Sequence, residues 1–241
     1  MVAGILSRAR SYGIRRSLYY SYCEARRLGR ICALGSYSQE KEDLAIDRLL
    51  GHPASGFYVD VGAWHPRKFN NTWRFYRRGW HGINVEPDPD MCRLLAAARP
   101  RDININIAAG SSDGRRVLFK FAAGNLSTIS EAESDFCIEK GFAPSDTIDV
   151  GVRTLAGLLS EHRPSGRIDF MTIDTEGLEL EVLEGNDWSS FRPWLICVEI
   201  AEGYRSAGCS SDTAAIKELL ERVGYLEVYR NRLNSIFVLE E

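Results

Sequence analysis

The chain has 241 residues, 44% hydrophobic and 26% charged, with Lys+Arg 30 against Asp+Glu 33 and a formal net charge of -3. Those proportions suit one packed domain, and they exclude a globally disordered chain and a general nucleic-acid binder. The average conceals a split: residues 1–35 hold seven Arg and one Glu, a net of +6, so residues 36–241 carry -9.

No stretch approaches the roughly 18 consecutive apolar residues that a membrane-spanning helix needs. Met1 to Leu6 is too short for a signal-peptide core, and Arg8 and Arg10 follow it rather than precede it. A cytoplasmic protein is the expectation, although an Arg- and Ser-rich, acid-poor start also fits a transit peptide. Cys23, Cys32, Cys92, Cys137, Cys197 and Cys209 are widely spaced with no C-x-x-C pair, so no structural zinc is expected. Cys92 and Cys197 sit in apolar segments and read as small buried hydrophobes.

Punctuation divides the rest into alternating strand and helix patterns. Ser38 to Leu50 reads as a helix with Leu44, Leu49 and Leu50 inward. Gly56 to Asp60 is a short apolar strand ending in an acid, followed by a tight turn at Gly62. Gly82 to Glu86 repeats that form, and Asp88 then caps a helix through Ala98. Ile103 to Ala108 alternates as a strand, and Asp113-Gly114 turns the chain into Arg116 to Ala122. Residues 123–150 are the least regular and fit a lid or substrate loop.

The alternation resumes with a helix over Thr154 to His162, a strand over Ile168 to Asp174, a helix over Leu178 to Glu184 and a strand over Trp194 to Glu199. Ser211 or Asp212 is expected to cap a helix over Thr213 to Val223 that stops at Gly224. Tyr225 to Tyr229 and Ser235 to Leu239 close the chain as a hairpin. This order predicts an α/β fold with a mostly parallel sheet covered on both faces and ligands at the carboxyl ends of its strands. Four of those strands end in acids, Asp60, Glu86, Asp174 and Glu199, so residues far apart in sequence converge on one cleft.

Asp60-Val-Gly62 needs its glycine for close approach of a ligand, but Trp64, His65 and Pro66 stand where a dinucleotide turn would continue G-x-G-x-x-G. A ligand without phosphates fits better. Glu86 is placed to accept from a ribose diol, and Asp60 and Glu86 together suggest S-adenosylmethionine. A dinucleotide-dependent oxidoreductase and a catalytically silent cofactor-fold protein are the competing readings.

Ser36-Tyr-Ser-Gln-Glu-Lys-Glu-Asp43, Phe57-Tyr-Val-Asp-Val-Gly-Ala-Trp-His-Pro66, Asn71-Thr72, Gly79-Trp80, Gly82-Ile-Asn-Val-Glu-Pro87, Ile168-Asp-Phe-Met-Thr-Ile-Asp-Thr-Glu-Gly177 and Asp187-Trp188 form an ordered set over residues 36–240. That set resembles the FkbM family of S-adenosylmethionine-dependent methyltransferases. The resemblance implies a class I methyltransferase fold, a Rossmann-like seven-stranded sheet with a C-terminal antiparallel hairpin, over residues 36–241 beyond a basic arm at 1–35. It also implies an O-methyltransferase acting on a sugar or glycolipid acceptor, similar to the enzymes that methylate the 2-hydroxyl of fucosyl residues in nodulation factors or surface glycans. By the family's pattern Asp60 and Gly62 fall at the first cofactor motif, Glu86 at the ribose-binding acid, and Ala108 and Ala109 where adenine packs. Lys41 departs from the glycine common at its position, which puts in doubt any role transferred to Gln39 or Asp43.

Methyl transfer to an alcohol needs alignment and a base. Asp174 is the expected base, with Glu176 as its orienter. If both joined Glu199 around a divalent metal, the metal would lower the hydroxyl pKa instead. Starting a helix is the structural alternative for Glu176. His65 is a second candidate base, with packing or backbone bonding as its alternative. Trp64, Trp73 and Trp80 with Phe75 and Tyr76 suggest a sugar-stacking wall, a core or interface role being equally open. Leu6, Ile14, Leu18 and Tyr19 among the arginines of the arm suggest peripheral contact with an anionic membrane, against a solvated arm.

Overall fold

The computed structural model describes residues 35–121, 126–162, 166–200 and 209–240, besides Ala25, Gly29 and Ala33. The membrane reading of the basic arm therefore falls almost wholly outside the described residues. So do residues 123–125 of the expected lid.

The elements in order are α1 (Glu42–Leu49), β1 (Phe57–Val61), α2 (Trp73–Arg77), β2 (His81–Val85), α3 (Pro89–Ala98), β3 (Ile103–Ile105), β4 (Ala108–Gly110), β5 (Gly114–Phe121), α4 (Glu131–Glu139), β6 (Pro144–Thr154), α5 (Leu155–His162), β7 (Phe170–Ile173), α6 (Glu179–Glu184), β8 (Leu195–Glu199), α7 (Cys209–Arg222), β9 (Tyr225–Arg230) and β10 (Asn234–Leu239). Seven strands form one sheet in the order β3-β2-β1-β7-β8-β10-β9. β10 runs antiparallel to both β8 and β9, and the other pairings are parallel. This is the class I methyltransferase sheet with its terminal hairpin.

β1, β7 and β8 are buried along their whole length, as continuous apolar runs in a parallel sheet must be. Val59, Val61, Met171, Ile173, Ile196 and Val198 pack one face against Leu155, Leu158, Val182, Leu183 and Leu220 of α5, α6 and α7. Tyr58, Phe170 and Cys197 pack the other against Ile46 of α1 and Phe75, Tyr76 and Trp80 around α2. Among the described residues Cys92, Cys137 and Cys197 are free and buried, and no helix is long and apolar enough to cross a membrane.

Four sequence expectations change. The strand expected over Ile103 to Ala108 is two. β3 pairs with β2, while β4 pairs in parallel with β6 in a separate three-stranded sheet, β4-β6-β5. The break falls at Asn106, whose Nδ2 donates to the carbonyls of Glu86 and Pro87 at 2.9 Å each, so alternation continues across a change of partner. Much of the irregular segment 123–150 is ordered: Ser130 caps α4 by accepting from the Glu133 amide, and β6 runs eleven residues antiparallel to β5.

α1 begins at Glu42 rather than Ser38, and it buries Glu42, Asp43, Ile46 and Asp47 while Leu44, Leu49 and Leu50 are only partly buried. The acids face inward because distant partners await them. Asp43 accepts from Ser36, Ser38 and the Tyr37 amide, Asp47 pairs with Arg74 and Arg78, and Glu42 accepts from Asn231 and Asn234. Ser211 and Asp212 do not cap α7, which starts at Cys209; Asp212 instead places a negative charge in its first turn, where the helix dipole favours it.

Candidate active site

The parallel register of β2, β1, β7 and β8 brings their carboxyl ends to one edge of the sheet. Asp60 lies within β1 there, Glu199 ends β8, and Glu86 and Asp174 directly follow β2 and β7. A cleft of about 800 Å3, open to solvent, lies at this edge. Its lining includes Gly62, Glu86, Ala108, Ala109, Asp174 and Glu176, six of the eight residues singled out from sequence, but neither Asp60 nor His65.

Gly62 follows β1 with φ 81°, and a Cβ there would stand 1.8 Å from the Asp174 carbonyl oxygen. The turns after β1 and β7 therefore touch backbone to backbone, which only glycine permits. Glu86 Oε2 accepts from the Trp64 amide at 2.7 Å and Oε1 from the Asp88 amide at 2.8 Å. Burial pushes its carboxyl up to about 7 even though both bonds favour the ionised form. Ala108 and Ala109 on β4 give the cleft a small-residue wall, with Leu118, Ile129 and Leu178 beside it.

Asp174, Glu176 and Glu199 each place a carboxylate oxygen within 4.8 Å of the others, the convergence a divalent cation would require. The turn carrying the first two is held by two side chains, those of Glu179 and Thr128. Glu179 Oε1 accepts from the Thr175 amide at 2.8 Å and its hydroxyl at 3.1 Å, and both Glu179 oxygens accept from the Gly177 amide. Thr128 Oγ1 donates to the Glu176 carbonyl at 2.8 Å. Glu176 sits at φ 55°, unusual for a non-glycine and sustained by these bonds. It also lies before α6, which starts at Glu179, so the site turn and the helix start are one feature.

Asp60 is buried, and its Oδ2 accepts from Thr72 Oγ1 at 2.6 Å and Asn70 Nδ2 at 3.1 Å. Burial raises its pKa, opposed by Arg99 and these bonds. His65 Nδ1 accepts from the Arg67 and Lys68 amides at 3.1 Å each, which leaves the proton of the neutral ring on Nε2. Burial, then the Arg67 and Arg99 charges, lower its pKa and keep the ring neutral. The backbone-bonding alternative thus has direct geometric support.

The expected aromatic wall divides. Trp80 and Phe75 are fully buried beside Phe170, and Trp73 stacks on Tyr76. Only Trp64 of that set lines the cleft, stacked against Phe69 with centroids 6.3 Å apart and planes at 13°. Phe69, Ser127 and Thr128 in the lining carry no sequence periodicity that would single them out. Gln39 joins them there, while Asp43 is spent on the serines before α1.

Solved structures with the same general architecture include a TehB-like methyltransferase from Corynebacterium glutamicum, at 12% identity and TM-score 0.43 over 92% of this chain and 99% of that one. An O-methyltransferase from Bacillus cereus matches at 12% identity and TM-score 0.44, with 90% of each chain covered. A 1,6-didemethyltoxoflavin N1-methyltransferase from Burkholderia thailandensis matches at 13% and 0.45, over 96% and 91%. Likenesses this distant carry no inference about substrate. No curated protein matches the chain in sequence. The model of the methyltransferase FkbM domain matches residues 60–227, from the Asp60 turn into β9, and takes in every lining residue of the cleft named here except Gln39. The chain belongs to the FkbM methyltransferases, a family of S-adenosylmethionine-dependent enzymes.

Proposed function

We propose that the protein is an O-methyltransferase acting on a sugar hydroxyl, with the 2-hydroxyl of a fucosyl or related deoxyhexose residue in a nodulation factor or surface glycan as the narrower reading. The observation that carries the acceptor class is the cleft itself. Its lining combines Glu86, Asp88, Asp174 and Glu176 with the Trp64–Phe69 pair, and the lysines bordering it are engaged, Lys68 over both rings and Lys120 with Asp88 and Asp90. Such a lining suits a neutral polyol, whose hydroxyls donate to carboxylates and whose ring face packs on an aromatic.

The residues present fit the cofactor. Gly62 keeps side chains out of its turn, Glu86 retains lone pairs for a ribose diol, and Ala108 and Ala109 leave room for a flat base. When bound, S-adenosylmethionine supplies an electrophilic methyl group. Asp174 takes the proton of the acceptor hydroxyl, and Glu176 orients that hydroxyl from the same braced turn. His65, bonded through Nδ1 to its own loop, holds backbone rather than substrate. The alternative in which Asp174, Glu176 and Glu199 hold a divalent metal rests on their 4.8 Å convergence.

Incubation with labelled S-adenosylmethionine and a glycan panel, with the methyl position mapped by mass spectrometry, tests the reading. Label on a deoxyhexose hydroxyl is expected; transfer to a phenol or amine and to no sugar overturns it. Activity that survives exhaustive chelation assigns the acids to proton transfer, and activity lost to chelator and restored by Mg2+ or Mn2+ assigns them to the metal. We also propose that the protein works in the cytoplasm, with residues 1–35 in peripheral contact with the inner membrane surface near lipid-linked acceptors.

A further inference from the structure

Arg99, at the carboxyl end of α3, has no solvent exposure. A buried guanidinium persists only when its donors are matched, and here nearly all of them reach one segment, the loop from Gly62 to Thr72. Nε and Nη2 donate to the Pro66 carbonyl, Nη2 also to Asn70 Oδ1 at 2.6 Å, and Nη1 to Thr72 Oγ1 at 2.6 Å. Thr72 passes the interaction on, donating from the same hydroxyl to Asp60 Oδ2, so Arg99 Nη1 and Asp60 stand 4.0 Å apart with a hydroxyl between them. Asn70 closes the circuit by donating to Asp60 Oδ2 and to the Ala63 carbonyl. Asp102, 3.8 Å from Nη1, balances the charge from the other side and is itself held by Tyr58, Asn84 and the Gly82 amide.

The clamped loop carries Gly62, Trp64 and Phe69 into the cleft, and its Trp64 amide is the donor that fixes Glu86 Oε2. The cofactor side of the cleft is therefore set from behind by a charge that never meets the cofactor. We propose that Arg99, acting through Thr72 and Asp60, is the positioning residue of the cofactor loop, and that Asp60 serves this clamp rather than contacting the cofactor's amino-acid end. The proposal rests on the cofactor reading, and calorimetric binding of S-adenosylhomocysteine to the wild type checks that reading separately.

The two roles open to Asp60 differ in what they do to a ligand lacking the amino-acid end. 5′-Methylthioadenosine keeps the adenosine and drops the ammonium and carboxylate. If Asp60 belongs to the clamp, Asp60→Asn weakens S-adenosylhomocysteine and methylthioadenosine by similar factors. Arg99→Lys and Thr72→Val, which leave Asp60 in place, then weaken both ligands alike, on the order of 10-fold for the loss of a hydrogen-bonded relay. Thr72→Ser, which keeps the relay hydroxyl, restores wild-type affinity. Double variants of Asp60 and Thr72 lose no more than the worse single variant, because both break one circuit.

Should Arg99→Lys not fold, Thr72→Val alone decides, since it is close in volume. A loss in Asp60→Asn confined to S-adenosylhomocysteine overturns the proposal by showing direct contact. So does a folded Thr72→Val whose melting temperature falls while both dissociation constants stay at wild-type values, since that marks a purely structural network.

Discussion

At the scale of single residues, the acids at the strand ends are chemically unequal despite their matching positions. Asp174 and Glu176 face the open cleft, whereas Asp60 is buried in hydrogen bonds and Glu86 is buried between two amides. Asp174→Asn is expected to lower methyl transfer by about 10²- to 10⁴-fold, the usual worth of a general base, while binding of S-adenosylhomocysteine is retained. Single-turnover rates beside calorimetry separate the two effects; a wild-type rate removes Asp174 from the mechanism. Glu86 gives a pH signature. Its carboxyl titrates near 7 in the folded chain against an ordinary value of 4.5, so the native state holds the proton more tightly than the unfolded one. Its contribution to apo stability is complete below about 4.5 and is lost as pH rises through about 7. A ribose diol donates to the ionised form, so cofactor affinity runs the other way and rises on the order of 10-fold from about pH 6 to 8. Glu86→Gln should flatten that slope in a calorimetric series, and an unchanged slope would assign it elsewhere.

At the scale of elements, the turns after the strands, more than the strands themselves, set the geometry. Glu179 spends both carboxylate oxygens on the turn that presents Asp174 and Glu176. Glu179→Ala leaves two part-buried amides without their acceptor at a cost of about 1 kcal/mol, and on a chain of this length each kcal/mol lowers Tm by about 2–4 °C. We expect kcat to fall with little change in cofactor affinity, and a variant that loses Tm alone would reduce Glu179 to a helix-start residue. The same elements show what a sequence reveals and what it withholds. Phe57-Tyr-Val-Asp and Phe170-Met-Thr-Ile announce buried strands because burial on both faces demands unbroken apolar runs. β6 is hidden because Ser145, Asp146, Thr147 and Asp149 break its apolar pattern by facing solvent on a small second sheet. β4 is hidden because Asn106 moves the chain to new partners without disturbing alternation. The Arg99 circuit is hidden for a different reason: Thr72 lies 12 residues beyond Asp60 and Arg99 another 27 beyond Thr72, and Arg99 ends its helix with nothing local to mark it as buried.

At the scale of the whole molecule, charge is distributed by task. The net of -9 over residues 36–241 includes the acids that line the cofactor cleft, while +6 is concentrated in residues 1–35. Each Lys or Arg near an anionic bilayer contributes about 1 kcal/mol, which is the basis of the membrane contact proposed for an arm with seven Arg. Deleting residues 1–30 is expected to abolish sedimentation with phosphatidylserine-containing vesicles, leaving cofactor affinity unchanged. Equal sedimentation of the full and truncated chains would reduce the arm to a solvated extension.

The contact between Gly62 and the Asp174 carbonyl bears on how natural or engineered variants of this protein are interpreted. A glycine forced by two main chains in contact is required for folding before any cofactor arrives, so selection for soluble expression alone would retain it. Its presence in a variant is therefore evidence of an intact scaffold and says nothing about turnover. The side chains at 174 and 176 are under no such backbone compulsion toward carboxylates, so on the catalytic role proposed for them it is their replacement that would mark a descendant which has kept the shape and abandoned the chemistry.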